Sequence, residues 1–320
     1  MQLRKMFNSS SSQILILVAA LFLLIAITGI ITPAFITYRH LTTILYANTM
    51  LGILAIAQTL VIISGGLDMS VGSIYWISIT VGAVMMGNTE QTAVPVIFCL
   101  LLGGLFGFVN GVGIAKLKIP HVVMTLAMMI AITGIIYVST GGGLKGRATE
   151  QLIEFSTGRI LKFPIITIVW ILLTIMFFYV LKTTSFGWKI KALGSSMVAS
   201  YCSGIKVERI QIIVYTLSGI LSSVAGLFYL GWARKPYQTF QSGGGVGAEL
   251  TLETITAVVI GGTLFSGGRG GVERTFLGVI IISILNSLLV MASLGFEWKL
   301  IMHGLIIAIV VAIYSQTKNR

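Results

Sequence analysis

The stretch Gln91–Ala115, QTAVPVIFCLLLGGLFGFVNGVGIA, holds no Asp, Glu, Lys or Arg. A helix crossing bilayer hydrocarbon needs about 20 predominantly apolar residues, so this run is long enough to span. Gly103, Gly107 and Gly111 recur every four residues within it, a stripe of small residues that lets a second helix approach closely. Asn110 adjoins the stripe and is placed to hydrogen-bond across that contact. The same uncharged pattern continues in both directions. Met6–Tyr38, His40–Leu67, Ile119–Leu144, Ile210–Ala233, Thr275–Phe296 and Leu300–Thr317 also lack Asp, Glu, Lys and Arg. Backbone groups in lipid must be paired within the protein, which makes helices the default; a membrane barrel would show alternating apolar residues. The expectation is an all-α polytopic membrane protein, a single transmembrane domain over residues 1–320. About ten transmembrane helices are expected, at 14–31, 44–63, 72–87, 94–115, 121–139, 164–181, 210–232, 250–265, 275–292 and 298–314, with glycine-broken segments near 64–72 and 261–271. The third and eighth of these read as short or interrupted.

Composition points the same way. The chain is 56% hydrophobic and 9% charged, against about 25% charged in a soluble domain, too little to cover a soluble globule. Its formal charge of +12 would suggest nucleic acid on a soluble protein. Here the basic residues are dispersed over short loops where they set topology, so no nucleic-acid partner is expected. With the N-terminus in the cytoplasm, thirteen Lys and Arg fall in inner loops and eight, Lys299 among them, in outer ones. The positive-inside bias therefore puts both termini in the cytoplasm. Arg4 and Lys5 precede the first run, but Gln13–Ile31 is long enough to span and reads as an uncleaved helix. Cys99 falls in a span and Cys202 in a basic loop; neither a structural disulfide nor a metal site is expected from that spacing.

Three segments stand out. The first is Ser64-Gly65-Gly66-Leu67-Asp68-Met69-Ser70-Val71-Gly72-Ser73. Its glycines allow a tight turn and Ser70 is a candidate cap for the helix that follows. Asp68 is the only acid between His40 and Thr89. A carboxylate near membrane depth is costly unless paired; it either accepts free N–H groups at a helix start or serves gating or the substrate path.

The second is the basic inner loop of about 182–209. Ser195 or Ser196 would cap a two-turn helix that Gly204 ends. Ala199, Ser200 and Ser203 make it small and uncharged, unlike a helix resting on lipid headgroups, so docking to a protein partner is expected. The third runs from Gly243-Gly244-Gly245 through Glu253 and Gly261-Gly262 to Gly270-Gly271. Unwound backbone at membrane depth is tolerated only where protein or water covers it, which suggests a half-span facing the interior with Glu253 near its outer end.

No Gly-Lys pair occurs in the chain, so it carries no nucleotide-binding phosphate loop; if transport is ATP-driven, the ATPase is another polypeptide. His40, His121 and His303 are isolated in sequence, and no catalytic constellation can be assembled, so the chain is not read as an enzyme. An ion-coupled secondary carrier for a small polar solute is the alternative. It would place ionisable groups within spans, for which only Asp68 and Glu253 are candidates.

These segments resemble the membrane permease subunits of ribose/xylose/galactose-type ATP-binding-cassette sugar importers, nearly end to end. The resemblance is carried by Thr32-Pro33-Ala34-Phe35, Gly52–Ile56, Ser64–Ser73, Asn110-Gly111, Lys118-Ile119-Pro120, Ala192-Leu193-Gly194, Ser203-Gly204-Ile205, Val258–Thr263 and Gly267-Gly268. It implies ten spans in the bacterial inner membrane and a second permease copy or paralogue, with solute passing along the permease–permease interface. A cytoplasmic ATPase would bind the ATP, this chain holding no cofactor, and a periplasmic or lipid-tethered binding protein would deliver a pentose or hexose. Gly194, Ser195, Ser196, Val198, Ala199, Ser203, Gly204 and Ile205 would couple to the ATPase. Gly65, Gly66, Asp68, Ser70, Asn110, Glu253, Gly261 and Gly262 are the translocation or gating candidates. The segment departs from the family pattern at Gly194-Ser195-Ser196, at Thr251–Ala257 and at Arg274, which hints at a heterodimeric arrangement.

Overall fold

The computed structural model describes residues 10–31, 35, 37–89, 91–143, 145–236, 247–263 and 265–318. Arg4, Lys5, residues 32–34 and the glycines at 243–245 lie outside the described residues. In chain order the helices are α1 (Ser10–Ile31), α2 (Tyr38–Ala47), α3 (Thr49–Ile63), α4 (Val71–Thr89), α5 (Ala93–Ala115), α6 (His121–Thr140), α7 (Glu150–Thr157), α8 (Ile165–Thr183), α9 (Ser185–Ser195), α10 (Met197–Cys202), α11 (Val207–Ala233), α12 (Ala248–Ile260), α13 (Val272–Met291) and α14 (Phe296–Lys318). The one sheet among the described residues is a hairpin, β1 (Arg159–Ile160) and β2 (Phe163–Pro164). Its turn residues Leu161 and Lys162 have φ of 49° and 69°, the left-handed pair of a type I′ turn.

Helices α4, α5, α6, α8, α11 and α13 are long and apolar enough to cross a membrane. The α2–α3 pair, bent by 46°, is a seventh if counted as one span. This is an all-α polytopic membrane protein. The third span is longer than its glycines suggested, because Gly72, Gly82 and Gly87 lie inside continuous α4. By contrast α12 has 13 residues, about 20 Å of helix, short of a hydrocarbon layer about 30 Å thick.

The faces of α5 show why the chain folds this way. Ile97, Leu101 and Leu105 are more than half exposed, an apolar surface that suits lipid. The opposite face buries Gly103, Gly107, Asn110 and Gly111. A Cβ on Gly107 would overlap the Tyr215 carbonyl, and one on Gly111 would lie 2.7 Å from the Ile212 Cα. The stripe is thus the seat of α11, which packs centrally against α3, α4 and α5. With no hydrophobic drive between helices in lipid, interhelical hydrogen bonds and close packing must hold them. Hydroxyl pairs supply several: Thr49 with Thr167 at 2.9 Å, Thr59 with Thr275 at 2.7 Å, and Ser78 with Ser223 at 2.8 Å.

Candidate functional site

The sequence candidates fall into three clusters. The first is a junction of backbone at the ends of α3, α9 and α12. Helix α3 stops in a Schellman motif: Gly65 N–H donates to Ile62 O and Gly66 N–H to Val61 O, with Gly65 at φ +86°. Helix α12 stops identically, with Gly262 (φ +76°) donating to Val259 O and Thr263 to Val258 O. The loop leaving α12 then returns to α3, where Gly268 N–H donates to the Ile63 carbonyl at 2.8 Å. Gly194, one residue from the end of α9, sits between them. A Cβ there would overlap the Ile63 carbonyl and the Gly268 amide, and one on Gly267 would come within 2.6 Å of the Gly194 carbonyl. The two glycine-broken segments therefore meet each other, and the inner loop is wedged into their meeting point.

Beyond Gly194 the chain turns outward. Ser196, not Ser195, caps α10, its hydroxyl accepting the Ala199 N–H at 3.2 Å. Ser195 instead donates to the Lys191 carbonyl at 2.9 Å. Gly204 ends α10 at φ +77°, its N–H donating to Tyr201 O while Ile205 donates to Ser200 O. Val198 and Tyr201 are each 75% exposed, so α10 presents apolar surface outside the helix bundle. Helix α9 is anchored by Lys191, whose ammonium donates to the Leu181 carbonyl at 2.9 Å; burial holds that ammonium below its usual range.

The second cluster surrounds Asp68, fully buried. Its Oδ1 accepts the Ser70 N–H at 2.9 Å and the Ser70 hydroxyl at 2.6 Å; its Oδ2 accepts the Ser218 hydroxyl at 2.8 Å. Ser70 does not cap α4 through its side chain as expected. Its hydroxyl is taken by Asp68 and accepts the Asn110 amide at 2.9 Å, so Asn110 bonds to the start of α4 rather than across its contact with α11. The carboxylate accepts an N–H beside a helix start, and it also ties the loop to α11. His121 and Tyr215, 2.9 Å apart, close the other side of this loop; a Cβ on Gly66 would come within 2.5 Å of the Tyr215 hydroxyl. His121 is therefore a packing partner and not isolated. Sequence gave no signal for Ser218 or Tyr215, since serine and tyrosine are common in every span.

The third cluster is a cavity of about 300 Å³ between α2, α3, α4, α11, α12, α13 and α14. Glu253 forms part of its wall from the first half of α12, five residues after the start of that helix. Its Oε2 pairs with Lys299 at 2.9 Å, and its Oε1 accepts the Asn286 amide. Lys299 also reaches Glu249 at 3.2 Å. Sequence reasoning placed Lys299 among outer-loop charges; the structure makes it the partner of the one buried acid on α12. His303 Nε2 lies 3.3 Å from Asn286 Oδ1 and His40 Nε2 the same distance from the Ser287 hydroxyl, so neither histidine stands alone. Tyr75, Tyr229 and Trp232 supply aromatic wall. Thr251 connects the cavity to the Asp68 loop, its hydroxyl accepting the Gly72 N–H at 3.1 Å.

The chain matches the family described as branched-chain amino acid transport system / permease component over residues 40–311. It is 35% identical to the ribose import permease protein of Escherichia coli K12 over 300 residues, 92% of this chain and 91% of that one. It is 32% identical to the fructose import permease protein of Rhizobium meliloti, covering 96% and 86%. It is 29% identical to the autoinducer 2 import system permease protein of Escherichia coli O157:H7, covering 95% and 87%. No solved structure matches it significantly. A family match over most of the chain and relatives at this identity show that the chain belongs to this family of transport-system permease components, which are transporter subunits and not enzymes.

Proposed function

We propose that this chain is the membrane permease subunit of an ATP-binding-cassette importer carrying a pentose- or hexose-class sugar inward across the bacterial inner membrane. ATP is bound and hydrolysed by a separate cytoplasmic ATPase, and a periplasmic or lipid-tethered binding protein delivers the sugar. A second permease copy or paralogue completes the pore. The substrates in the relatives' names, ribose and fructose, favour this class, and the autoinducer 2 permease marks how far the class extends. Ten spans follow if α2–α3 is one span and α1, α12 and α14 join the six long helices. An even count puts both termini on one side, the cytoplasmic one by the positive-inside bias, with residues 1–320 as one transmembrane domain.

The observation that carries the reading is the junction at Gly194. An exposed docking helix that follows directly on a residue wedged between a helix stop and a returning loop has the geometry of a transmitter. Force applied by a partner on Val198 and Tyr201 passes along α10 and α9 through Gly194 into the end of α3 and the loop after α12. Those two helices also wall the cavity, so a shift at the junction changes its shape. Asp68, saturated by three donors, is occupied structurally, which weighs against the ion-coupled carrier. Gentle affinity purification from native membranes with mass spectrometry tests the proposal. Recovery of an ATPase with nucleotide-binding motifs and an exported solute-binding protein is expected. A homo-oligomer without any ATPase that drives ion-dependent uptake in vesicles would overturn it.

A further inference from the structure

The lipid-facing side of α8 can be followed residue by residue. Leu172, Ile175, Met176 and Tyr179 are between 46% and 58% exposed. They fall at i, i+3, i+4 and i+7, one face of a helix, on a helix long and apolar enough to span. About one turn further along the same face come Lys182 and Thr183, both exposed. The stripe therefore ends in a tyrosine, a residue suited to headgroup depth, followed by a cation. The Lys182 ammonium lies 5.0 Å from the centroid of the Phe178 ring, held against the end of the span by its attraction to the ring face.

Helix α9 is packed onto this end. Thr184 caps it, its hydroxyl accepting the Gly187 N–H at 3.2 Å. A Cβ on Gly187 would overlap the Val180 carbonyl, so the first turn of α9 lies directly against the last turn of α8. Gly187, Ile190 and Leu193 form its buried side. Its other side presents Trp188, 68% exposed, with Lys189 exposed next to it. An indole with cations beside it suits the membrane–water boundary, where one end of the ring is apolar and the other wet.

Charge defines what this corner would hold. No Asp or Glu occurs between Glu154 and Glu208, and neither Lys182 nor Lys189 is in an ion pair among the described residues. Lysines with exposed aromatic and aliphatic residues beside them attract anionic lipid through both charge and apolar burial. Helix α10, which follows, is the opposite case: Met197–Cys202 holds no charge.

We propose that the corner of α8 and α9 binds an anionic phospholipid, with Lys182 and Lys189 meeting the headgroup and Tyr179 and Trp188 resting where headgroup gives way to acyl chain. The occupant is lipid and not a protein partner because the site continues the lipid-facing stripe of α8 without a break. The lipid seats the helix whose last turn carries Gly194, so the membrane holds one end of the inner loop and α10 is left to the partner. The site needs only that α8 spans the bilayer, and it stands whichever solute is carried.

The test places the complex, purified with its associated subunits, in nanodiscs of phosphatidylcholine and phosphatidylglycerol, with one lipid or the other carrying brominated acyl chains. The chain has five tryptophans, so the Trp188 signal is the difference between wild type and Trp188→Phe. Brominated phosphatidylglycerol should quench Trp188 more strongly than brominated phosphatidylcholine at equal mole fraction. Lys182→Gln and Lys189→Gln should each lower that preference about fivefold, the share of one lysine at an anionic surface. Lys189→Arg should retain it, and added salt should weaken it. Equal quenching by the two lipids would overturn the proposal, as would an unchanged preference when both lysines are replaced by glutamine. Trp188 shielded from both lipids would make it a contact of a protein partner, which overturns the proposal as well. A complex recovered without any ATPase would sink the importer reading, while the quenching would still decide the lipid site.

Discussion

The junction at Gly194 and the cavity at Glu253 sit at opposite ends of α3 and α12 and are built by opposite means. The junction is backbone against backbone: the Ile63 carbonyl, the Gly268 amide and the Gly194 Cα occupy the space where side chains would be. The cavity is side chain against side chain, with an acid, a base, amides and aromatic rings in its wall. A backbone contact has no graded variants, since a single methyl group either fits or displaces a helix end. A side-chain wall tolerates exchange and changes what it holds. One region is suited to transmitting motion and the other to choosing a solute.

The largest effect should come from Gly194→Val. Its side chain would overlap the ends of both α3 and the loop after α12, and ATP-driven uptake in proteoliposomes should fall to background. Gly134→Ala, in α6, is the control. Nothing lies within 4 Å of a Cβ there, so uptake should stay near wild type. Equal loss in both would mean that replacing any glycine abolishes uptake, and the contrast between regions would fail.

Next comes Asp68→Ala, which leaves Ser70 and Ser218 hydroxyls without their acceptor. Each orphaned buried group costs about 1–3 kcal/mol, so the thermal midpoint of the purified protein should drop markedly. Unchanged stability with lost uptake would instead move Asp68 from scaffold to solute path.

At the cavity, Glu253→Gln strips the buried partner from Lys299 while leaving Glu249. A double-mutant cycle with Lys299→Met should return a coupling of about 1–3 kcal/mol in stability, with the double variant less damaged than Glu253→Gln alone. Zero coupling would show that the pair is held by packing and contributes no energy of its own. The smallest effect is expected at Ser196→Ala, which removes the side-chain cap of α10 at about 1 kcal/mol. It should weaken recovery of the co-purifying ATPase without lowering the thermal midpoint of the bundle, and a midpoint loss as large as that of Asp68→Ala would contradict an independent docking helix.

Much of this was legible in the sequence because lipid imposes strict terms. Uncharged runs mark the long helices, and α5, α6, α8 and α11 fall within a few residues of their expected bounds. The Gly-Gly and Ser-Gly stops were legible as breaks, and Ser196 as one of two possible caps. What those breaks do was less so. Helix stops at Gly65 and Gly262 are local events, readable from residues a few positions apart. The contact at Gly194 between the α3 stop and the loop after α12, at Gly267 and Gly268, joins segments remote in sequence, and nothing in a glycine records its neighbour.

The side-chain partners follow the same division. Asp68 drew notice because a lone acid in an apolar run is rare, yet Ser218, one of its acceptor-saturating donors, looks like any serine in a span. Lys299 was one of eight basic residues assigned to outer loops, because sequence registers a charge and not its burial; the structure places it within α14. Gln58 raised no signal, since one glutamine in a span is unremarkable until its buried amide proves to have no partner among the described residues. By itself, then, the sequence determined class, helix positions and helix stops, which depend on transfer from water to lipid and on backbone geometry over a few residues. Only the tertiary structure decided which helix stop a returning loop touches, which acid meets which base and which buried amide is left without a partner among the described residues. Those outcomes depend on the close packing of helices remote in sequence, where a single Cβ or hydroxyl decides the contact.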